Sequence, residues 1–369
     1  MSRADLRPRP PRRRLSAGLI AALAMAVVVV SAVAGVFAFA LLRPGGDPVA
    51  ASASPSASSV PTKSPSAQPT PTVSDTPSAT PTPPPPPPPA VSSPAAQPCE
   101  AGATMLTVWA HPDDDIIFAN PMISDALAAG ECVRTVFVTA GDAGKGMGYV
   151  KARELGILRA YNAMRKNDGL WDAQEFDLSS GLHVRRLSPQ GDARVSVLFL
   201  RLPDGNITDG GFSATGYATL SKLWDGQSAT LAPIDGGSAV SRDQLVASIA
   251  ELGAALAPAQ ILTHIPRGSA FAPGDHPDHS VVGSLVREAI GANAALAPGI
   301  RYFVGYPSQN LPRNLDDATL DAKVDTYRIY TQQDDVIRCA DRSACLKTRK
   351  FGEWLQRSYP KTEDELQLG

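Results

Sequence analysis

The chain has 369 residues and a formal net charge of −2. This near-neutral balance excludes the basic face with which proteins bind nucleic acid. Residues 1–98 are too biased in composition to fold as a globular unit, whereas residues 99–369 can bury a substantial core as one domain.

The N-terminal segments predict export across a membrane. Residues 1–14 form an arginine-rich cytoplasmic tail, and residues 15–42 form an apolar run without a charged residue. At about 1.5 Å per residue this run exceeds the roughly 30 Å of a bilayer core. The positive-inside rule then places the rest of the chain outside, as a single-pass membrane protein. Cleavage of a signal peptide after residues 38–40, followed by secretion, is the alternative.

Residues 43–98 are mostly proline, serine, threonine and alanine, with seven consecutive prolines at 83–89. Such a segment cannot bury enough apolar surface to fold, and it favours extended polyproline II. We expect a disordered stalk that holds the catalytic domain away from the membrane. Recognition by a proline-binding domain is the alternative.

Four cysteines follow the stalk, and none forms a Cys-x-x-Cys pair, which disfavours a zinc ribbon or a thioredoxin motif. Three pairings are possible. We favour a bridge between Cys339 and Cys345, which are close in sequence, and a second bridge between Cys99 and Cys132. Four buried free thiols are the alternative, which export disfavours.

Apolar periodicity across residues 99–369 predicts strands that alternate with helices. The predicted strands are 105–109, 133–139, 195–200, 261–264 and 300–304. The predicted helices are 121–130, 149–166, 241–256 and 280–290, with two more after residue 316. This alternation predicts an α/β domain with a doubly wound, mainly parallel sheet and helices on both faces.

A cluster of polar residues follows the first predicted strand, in the run Trp109-Ala-His-Pro-Asp-Asp-Asp115. Ligands of open α/β sheets bind outside the carboxyl ends of the strands. A turn can bring His111 and Asp114 onto one ion, since they stand three residues apart. Asp113 lies between them and projects differently, which leaves one carboxylate for proton transfer. A single copy of such a motif would more often be a structural turn.

The run Gly274-Asp-His-Pro-Asp-His279 follows the strand at 261–264 and supplies the missing ligands. Three nitrogen or oxygen ligands and one open position are typical of a catalytic zinc site. Two histidines and one carboxylate from the two runs meet that need.

Together, Ala-His-Pro-Asp-Asp-Asp and His-Pro-Asp-His resemble the motifs of the PIG-L (LmbE-like) zinc-dependent de-N-acetylases, over roughly residues 104–303. The family includes enzymes that remove acetyl from N-acetylglucosamine linked to inositol. The resemblance implies a Rossmann-like fold, a Zn²⁺ cofactor and an N-acetylated sugar as substrate. The first motif of the family usually ends in Glu, whereas Asp115 stands here.

The resemblance also implies roles for the individual residues. His111, Asp114 and His279 would hold the zinc. Asp113 would act as general base on the attacking water and then as acid to the leaving amine. His276 would stabilise the tetrahedral oxyanion as a hydrogen-bond donor.

Four further residues are candidates for positioning or for substrate binding. Asp278 could orient His276 or fix the tautomer of a ligand histidine, and Asp115 could do the same for another histidine. Arg153 could contact substrate, although a solvated helix face is an equal alternative. Asp204 could line the pocket, or it could belong to a plain Pro-Asp-Gly turn.

Other classes of site fit less well. The glycine-rich run 141–148 fails the spacing of a phosphate loop, so we expect a loop beside the site. No G-x-S-x-G elbow is present, and a metallophosphatase would need more carboxylates. We therefore expect a metal-dependent hydrolase that deacetylates an N-acetylglucosamine-type sugar or a cell-wall glycan outside the membrane. A non-catalytic extracellular glycan-binding protein is the alternative, and the sequence does not indicate an oligomeric state.

Overall fold

A computed structural model of the chain describes residues 93–100 and 102–369. The predictions for the cytoplasmic tail, the membrane anchor and most of the stalk lie outside the described residues. Within the described part of the chain, no helix is both long and apolar enough to cross a membrane.

Eight strands form one sheet in the order β3-β4-β5-β2-β1-β6-β7-β8. Their bounds are β1 Thr104–Trp109, β2 Cys132–Thr139, β3 Trp171–Asp177, β4 His183–Pro189, β5 Val195–Leu202, β6 Gln260–His264, β7 Ile300–Phe303 and β8 Pro360–Lys361. The five central strands, β5 to β7 in spatial order, run parallel, as the sequence predicts. The outer strands pair antiparallel, so the whole sheet is mixed rather than mainly parallel.

The hairpin β3–β4 is the main element that the sequence pattern does not predict. The β3 strand is mostly exposed and carries polar residues, so it lacks the apolar alternation that signals a half-buried strand. The hairpin instead extends the sheet by pairing β4 with β5.

Among the described residues, eight α-helices flank the sheet or close its ends. Their bounds are α1 Met122–Ala128, α2 Met147–Met164, α3 Leu220–Trp224, α4 Arg242–Leu256, α5 Pro277–Gly291, α6 Asp317–Thr331, α7 Arg342–Lys347 and α8 Phe351–Leu355. The helix after the second motif begins earlier than predicted, because His276 caps it and Pro277 occupies its first turn. A capping box of Ser241 and Gln244 begins α4.

The two faces of the sheet carry different cores. Along β1, Leu106 and Val108 pack with α4 and α5 in an almost entirely aliphatic cluster. Met105 and Trp109 point to the opposite face and pack with α1, α2 and α6 in a cluster rich in aromatic rings. Helices therefore cover both faces, as predicted.

Both predicted disulfides are present in the structure. Cys99–Cys132 ties the segment before β1 to the first residue of β2. The bridge therefore lies at the amino-terminal ends of the parallel strands, away from their carboxyl ends. Cys339–Cys345 ties the segment after α6 to α7, which contains Cys345.

Candidate active site

The two predicted motifs meet at the carboxyl ends of β1 and β6, which are neighbouring parallel strands. β2 and β5 lie on one side of β1, and β6 and β7 lie on the other. The strand order therefore reverses at β1. At such a point a crevice opens outside the carboxyl ends of the strands, and ligands bind there. Residues that are about 160 positions apart in the sequence therefore face each other.

Nitrogen and oxygen atoms of three residues converge in this crevice. His279 Nε2 lies 3.3 Å from His111 Nδ1 and 3.2 Å from one oxygen of Asp114. The other oxygen of Asp114 lies 3.3 Å from His111 Nδ1. Metal–ligand bonds of about 2.0–2.1 Å in a tetrahedral site place ligand atoms roughly 3.3–3.4 Å apart. The three groups therefore have the spacing of a small tetrahedral cation site.

Two further carboxylates fix the tautomers of the two histidines. The ring N–H of His279 at Nδ1 donates to Asp275 at 2.8 Å, which leaves the Nε2 lone pair facing the site. The ring N–H of His111 at Nε2 donates to Asp278 at 3.2 Å, which leaves its Nδ1 lone pair facing the site. Two lone pairs and one carboxylate thus face one another, an arrangement that a cation satisfies.

The charges of the site agree with this interpretation. Burial lowers the pKa of His279, yet the nearby Asp114 and Asp275 carboxylates raise it to about 9. Burial likewise lowers the pKa of His111, but Asp114 and Asp278 raise it well above its ordinary value. The site therefore favours positive charge although it is buried.

Asp113 projects away from Asp114, as the sequence predicts. Its φ of 145° is a backbone conformation that side-chain-bearing residues rarely adopt. Burial raises the pKa of Asp113 to about 7, although the neighbouring Arg153 guanidinium lowers it. The carboxyl group lines the cavity beside the ligand atoms.

Arg153 is buried and bound to the protein itself. Its guanidinium contacts Asp113 at 2.8 Å and donates to the carbonyls of Pro112 and Gly141 at 2.9 and 2.6 Å. Its Nε donates to the hydroxyl of Tyr330 at 2.7 Å. Arg153 is thus not the solvated helix residue of the alternative interpretation. It lines the cavity, and its contacts hold the Asp113 turn in place.

His276 stands at the other side of the cavity. Its Nδ1 accepts from the backbone N–H of Asp278 at 3.2 Å, so the neutral ring carries its proton on Nε2. Burial lowers the pKa of His276 to about 4, which keeps the ring neutral. His276 therefore presents an N–H donor, and Asp204 lies 3.8 Å from that nitrogen.

Asp204 lines the cavity, as predicted, and its loop also supports the ligands. The backbone N–H of Gly205 donates to Asp278 at 2.9 Å. A Cβ at residue 205 would approach an oxygen of Asp278 to 2.6 Å, so this close contact requires glycine.

Asp115 does not orient a histidine. It accepts from the hydroxyl of Tyr161 at 3.0 Å, and that hydroxyl also bonds Thr135 at 2.5 Å. Asp115 is the first residue of a π-helical turn, and it does not line the cavity. This corrects the expectation that it fixes a ligand tautomer.

Two residues that contact the candidate ligands were not indicated by the sequence. Asp275 was not singled out, although its spacing of four residues from His279 is the signal that could have found it. His264 is the second: its ring stacks on that of His279 with centroids 4.0 Å apart, and its Nε2 lies 3.2 Å from Asp114. Its Nε2 accepts from the backbone N–H of Ala110, so this lone pair is already used.

Several sets of buried side chains among the described residues could hold a metal ion. They are His111 with His276 and His279, His111 with Asp204, His276 and Asp278, and Asp114 with His264 and His279. None of these sets combines His111, Asp114 and His279, but contacts of 3.2–3.3 Å join these three residues in pairs.

The cavity at this site has a volume of about 170 Å³. Its polar wall comprises His111, Asp113, Asp114, Tyr149, Arg153, Asp204 and His276. Its apolar wall comprises Ile117, Phe118, Tyr306, Val336, Ile337, Phe351 and Trp354.

Comparison with known proteins identifies the family. Residues 106–290, about half of the chain, match the family model PIG-L, described as GlcNAc-PI de-N-acetylase. The chain belongs to the PIG-L family. Membership supports a hydrolytic de-N-acetylase. The PIG-L match contains every residue of the polar wall, whereas Tyr306, Val336, Ile337, Phe351 and Trp354 of the apolar wall lie beyond it.

Solved structures share a distant likeness with this PIG-L protein, and no curated protein matches it. N,N'-diacetylchitobiose deacetylase from Pyrococcus horikoshii is 15% identical, with a TM-score of 0.37, over 71% of this chain and 83% of that one. Teicoplanin deacetylase Orf2, in a zinc-inhibited form, is 14% identical, with a TM-score of 0.39, over 68% and 90%. 4-Carboxy-2-hydroxymuconate hydratase from Pseudomonas putida is 14% identical, with a TM-score of 0.38, over 69% and 83%. Scores at this level carry no argument about function.

Proposed function

We propose that this PIG-L protein is a zinc-dependent hydrolase that removes the acetyl group from an N-acetylglucosamine-type sugar or glycan outside the membrane. The observation that carries the proposal is the convergence of His111, Asp114 and His279, whose facing nitrogen and oxygen atoms lie 3.2–3.3 Å apart in pairs, beside the carboxyl group of Asp113. His111, Asp114 and His279 would hold the metal. When bound, zinc would polarise the amide carbonyl and make the attacking water more acidic.

Asp113 is suited to move the proton. Its carboxyl group accepts a proton from water as that water adds to the carbonyl carbon, and it gives the proton to nitrogen as the C–N bond breaks. The products are acetate and the free amine. A pKa of about 7 allows both transfers near neutral pH, and general acid–base catalysis contributes roughly 10²–10⁴-fold. Arg153 keeps the carboxyl group in position through a 2.8 Å contact.

His276 is suited to stabilise the oxyanion. Its Nδ1 is occupied by the backbone of α5, so the Nε2–H points toward the cavity. A neutral donor that is already fixed in place needs little reorganisation when negative charge develops on the carbonyl oxygen.

The proposed location outside the membrane rests on the sequence and the disulfides. The apolar run 15–42 follows a basic tail, and two disulfides are typical of proteins in oxidising compartments. Protease added to intact cells should remove the catalytic domain and leave a membrane fragment. Protection of the whole chain until lysis would contradict this topology, and release of the intact domain into the medium would favour signal cleavage.

Acetate release from a panel of N-acetylglucosamine glycans tests the proposed reaction. Zinc-loaded protein should release acetate, whereas the Asp113→Ala variant should keep zinc and release it at least about 10²-fold more slowly. Matching zinc contents for the two proteins would show that the loss concerns proton transfer. If the wild-type protein binds zinc and glycan but releases no acetate, the non-catalytic glycan-binding alternative is favoured.

A further inference from the structure

The apolar wall of the cavity begins directly at the ligand atoms. The ring of Tyr306 lies 5.0 Å from the ring of His279, and the ring of Phe118 lies 5.8 Å from it. Trp354 stacks on Tyr306 with ring centroids 4.1 Å apart, and Phe351 lies 4.9 Å from Trp354. No charged side chain stands among these aromatic contacts.

The same wall reaches the protein surface. Ile337 is 7% exposed, whereas its neighbour Val336 is 58% exposed, and both line the cavity. A large exposed aliphatic side chain at the opening of a cavity extends the apolar surface toward solvent. The wall therefore runs from the ligand histidine to the outside.

A substrate amide has two substituents with different chemical needs. The sugar on the amide nitrogen carries hydroxyls, which need the donors and acceptors of the polar wall. The acyl group on the carbonyl carbon is apolar, and burying it against apolar side chains is favourable. Because both substituents flank the reacting carbon, a cavity with one polar and one apolar wall can hold the sugar against the first wall and the acyl group against the second.

An acetyl group would leave most of the apolar wall uncovered. A methyl group is close in size to a water molecule, whose share of liquid volume is about 30 Å³. A cavity of about 170 Å³ thus has space for roughly five such groups, part of which the sugar nitrogen and the carbonyl take. The remaining space holds about two or three carbons, and a longer chain would continue along the apolar wall toward Val336 at the opening.

We propose that the apolar wall binds an N-acyl chain longer than acetyl, so that this protein prefers N-acyl amino sugars with chains of about four to six carbons. The inference rests on the proposed amide hydrolysis and names the substrate class of the same site. Acetyl sugars remain substrates, because their carbonyl meets the same ligands, base and donor.

A chain-length series tests this inference. We would measure kcat/KM for N-acetyl-, N-butanoyl-, N-hexanoyl- and N-decanoylglucosamine with zinc-loaded protein. The value should rise by up to roughly fourfold for each methylene buried, as far as hexanoyl, and then level off or fall. A steady decrease from acetyl onward would overturn the inference while leaving the proposed hydrolysis intact.

Variants of the apolar wall locate the effect. Ile337→Trp should fill the cavity and lower the hexanoyl-to-acetyl ratio of kcat/KM at least tenfold. Phe351→Ala should enlarge the cavity and move the preferred chain length upward. Leu170→Trp is a matched control, since Leu170 is 74% exposed and does not line the cavity. An unchanged ratio in both wall variants would contradict the proposal.

Two further measurements separate the alternatives. Hexanoate should raise the Tm of the wild-type protein more than acetate does, and Ile337→Trp should abolish this difference, which tests the wall without turnover. If alkyl glycosides of N-acetylglucosamine gain in kcat/KM while longer acyl chains do not, the wall binds the aglycone and the inference is wrong. If no substrate releases acid, the proposed function fails, and the Tm comparison still decides whether the wall binds acyl chains.

Discussion

The two walls of the cavity differ in where they come from and in how they are held. The polar wall comes from the loops after β1, β5 and β6 and from α2, all within the span of the PIG-L match. Much of the apolar wall comes from the chain after β7, beyond that span. We infer that the polar wall carries the reaction, whereas the apolar wall sets which acyl group is accepted.

The stabilising contacts of the two walls also differ. Each polar side chain at the site has a fixed partner, such as Asp275 for His279 and Arg153 for Asp113. The apolar wall depends on ring packing and on the Cys339–Cys345 bridge beside Ile337. Hydrogen bonds fix the directions of the polar side chains, whereas apolar contacts tolerate side chains of different shape. Substitutions in the apolar wall can therefore change acyl selectivity without abolishing the reaction.

The largest expected effects come from the polar wall. His111→Ala, Asp114→Ala and His279→Ala should each lose zinc and activity together, because a site with two protein ligands binds zinc poorly. Asp113→Ala should keep zinc while kcat falls by about 10²-fold or more for every acyl chain. Metal analysis and steady-state kinetics on the four variants distinguish ligand from base. Loss of zinc in Asp113→Ala as complete as in Asp114→Ala would mean that the roles are wrongly assigned.

Removing the disulfides should separate stability from selectivity. Replacing Cys99 and Cys132 by serine opens a loop with a sequence separation of 33 and should cost about 4 kcal/mol of unfolding free energy. Replacing Cys339 and Cys345 opens one with a separation of 6 and should cost about 2 kcal/mol. Denaturant unfolding measures both values.

Only the second replacement should change acyl selectivity. Cys339 lies two residues from Ile337 and packs in the same cluster as Trp354. Cys132, by contrast, is the first residue of β2, at the end of that strand away from the cavity. The Cys99/Cys132 variant is therefore the matched control for the hexanoyl-to-acetyl ratio. Equal changes in both variants would show that the wall responds to general destabilisation.

The carboxylates that orient the ligand histidines should affect metal affinity. Asp275→Ala and Asp278→Ala should each weaken zinc binding by about 10–100-fold, because the facing lone pairs of His279 and His111 lose their fixed direction. Chelator competition gives the affinities. Asp243→Ala, at an exposed carboxylate, is the control and should leave affinity unchanged.

The smallest expected effect concerns the support of the apolar wall. Burial lowers the pKa of Lys323 to about 7, and its ammonium group donates to the backbone carbonyl of Arg357, just after α8. The unfolded chain binds this proton up to a pKa of about 10.4, so wild-type stability rises as pH increases from about 7 to 10.

Lys323→Met removes this dependence. The variant should exceed the wild-type protein in unfolding free energy at pH 6, and the difference should shrink toward pH 10. Denaturant unfolding at several pH values measures it. A difference that grows with pH would show that the lysine is not buried as a charge.

The sequence predicts the centre of the fold well and its edges poorly. The strands that become β1, β2, β5, β6 and β7 all carry apolar runs, because they are buried between helices. The hairpin β3–β4 escaped prediction because β3 is polar and mostly exposed, and because β4 mixes buried apolar residues with arginines. Its pairing depends on an available strand edge, which a local pattern does not reveal.

The sequence by itself determined which residues could act as ligands and base, because motif spacing and position after a strand are local properties of the chain. It also indicated the two disulfides. Only the tertiary structure decided that Asp278 orients His111, that Arg153 holds Asp113, and that Trp354 and Ile337 reach the same cavity. These contacts join residues 40 to more than 200 positions apart. They form only when strands and helices pack, since no local pattern encodes the distance between distant segments.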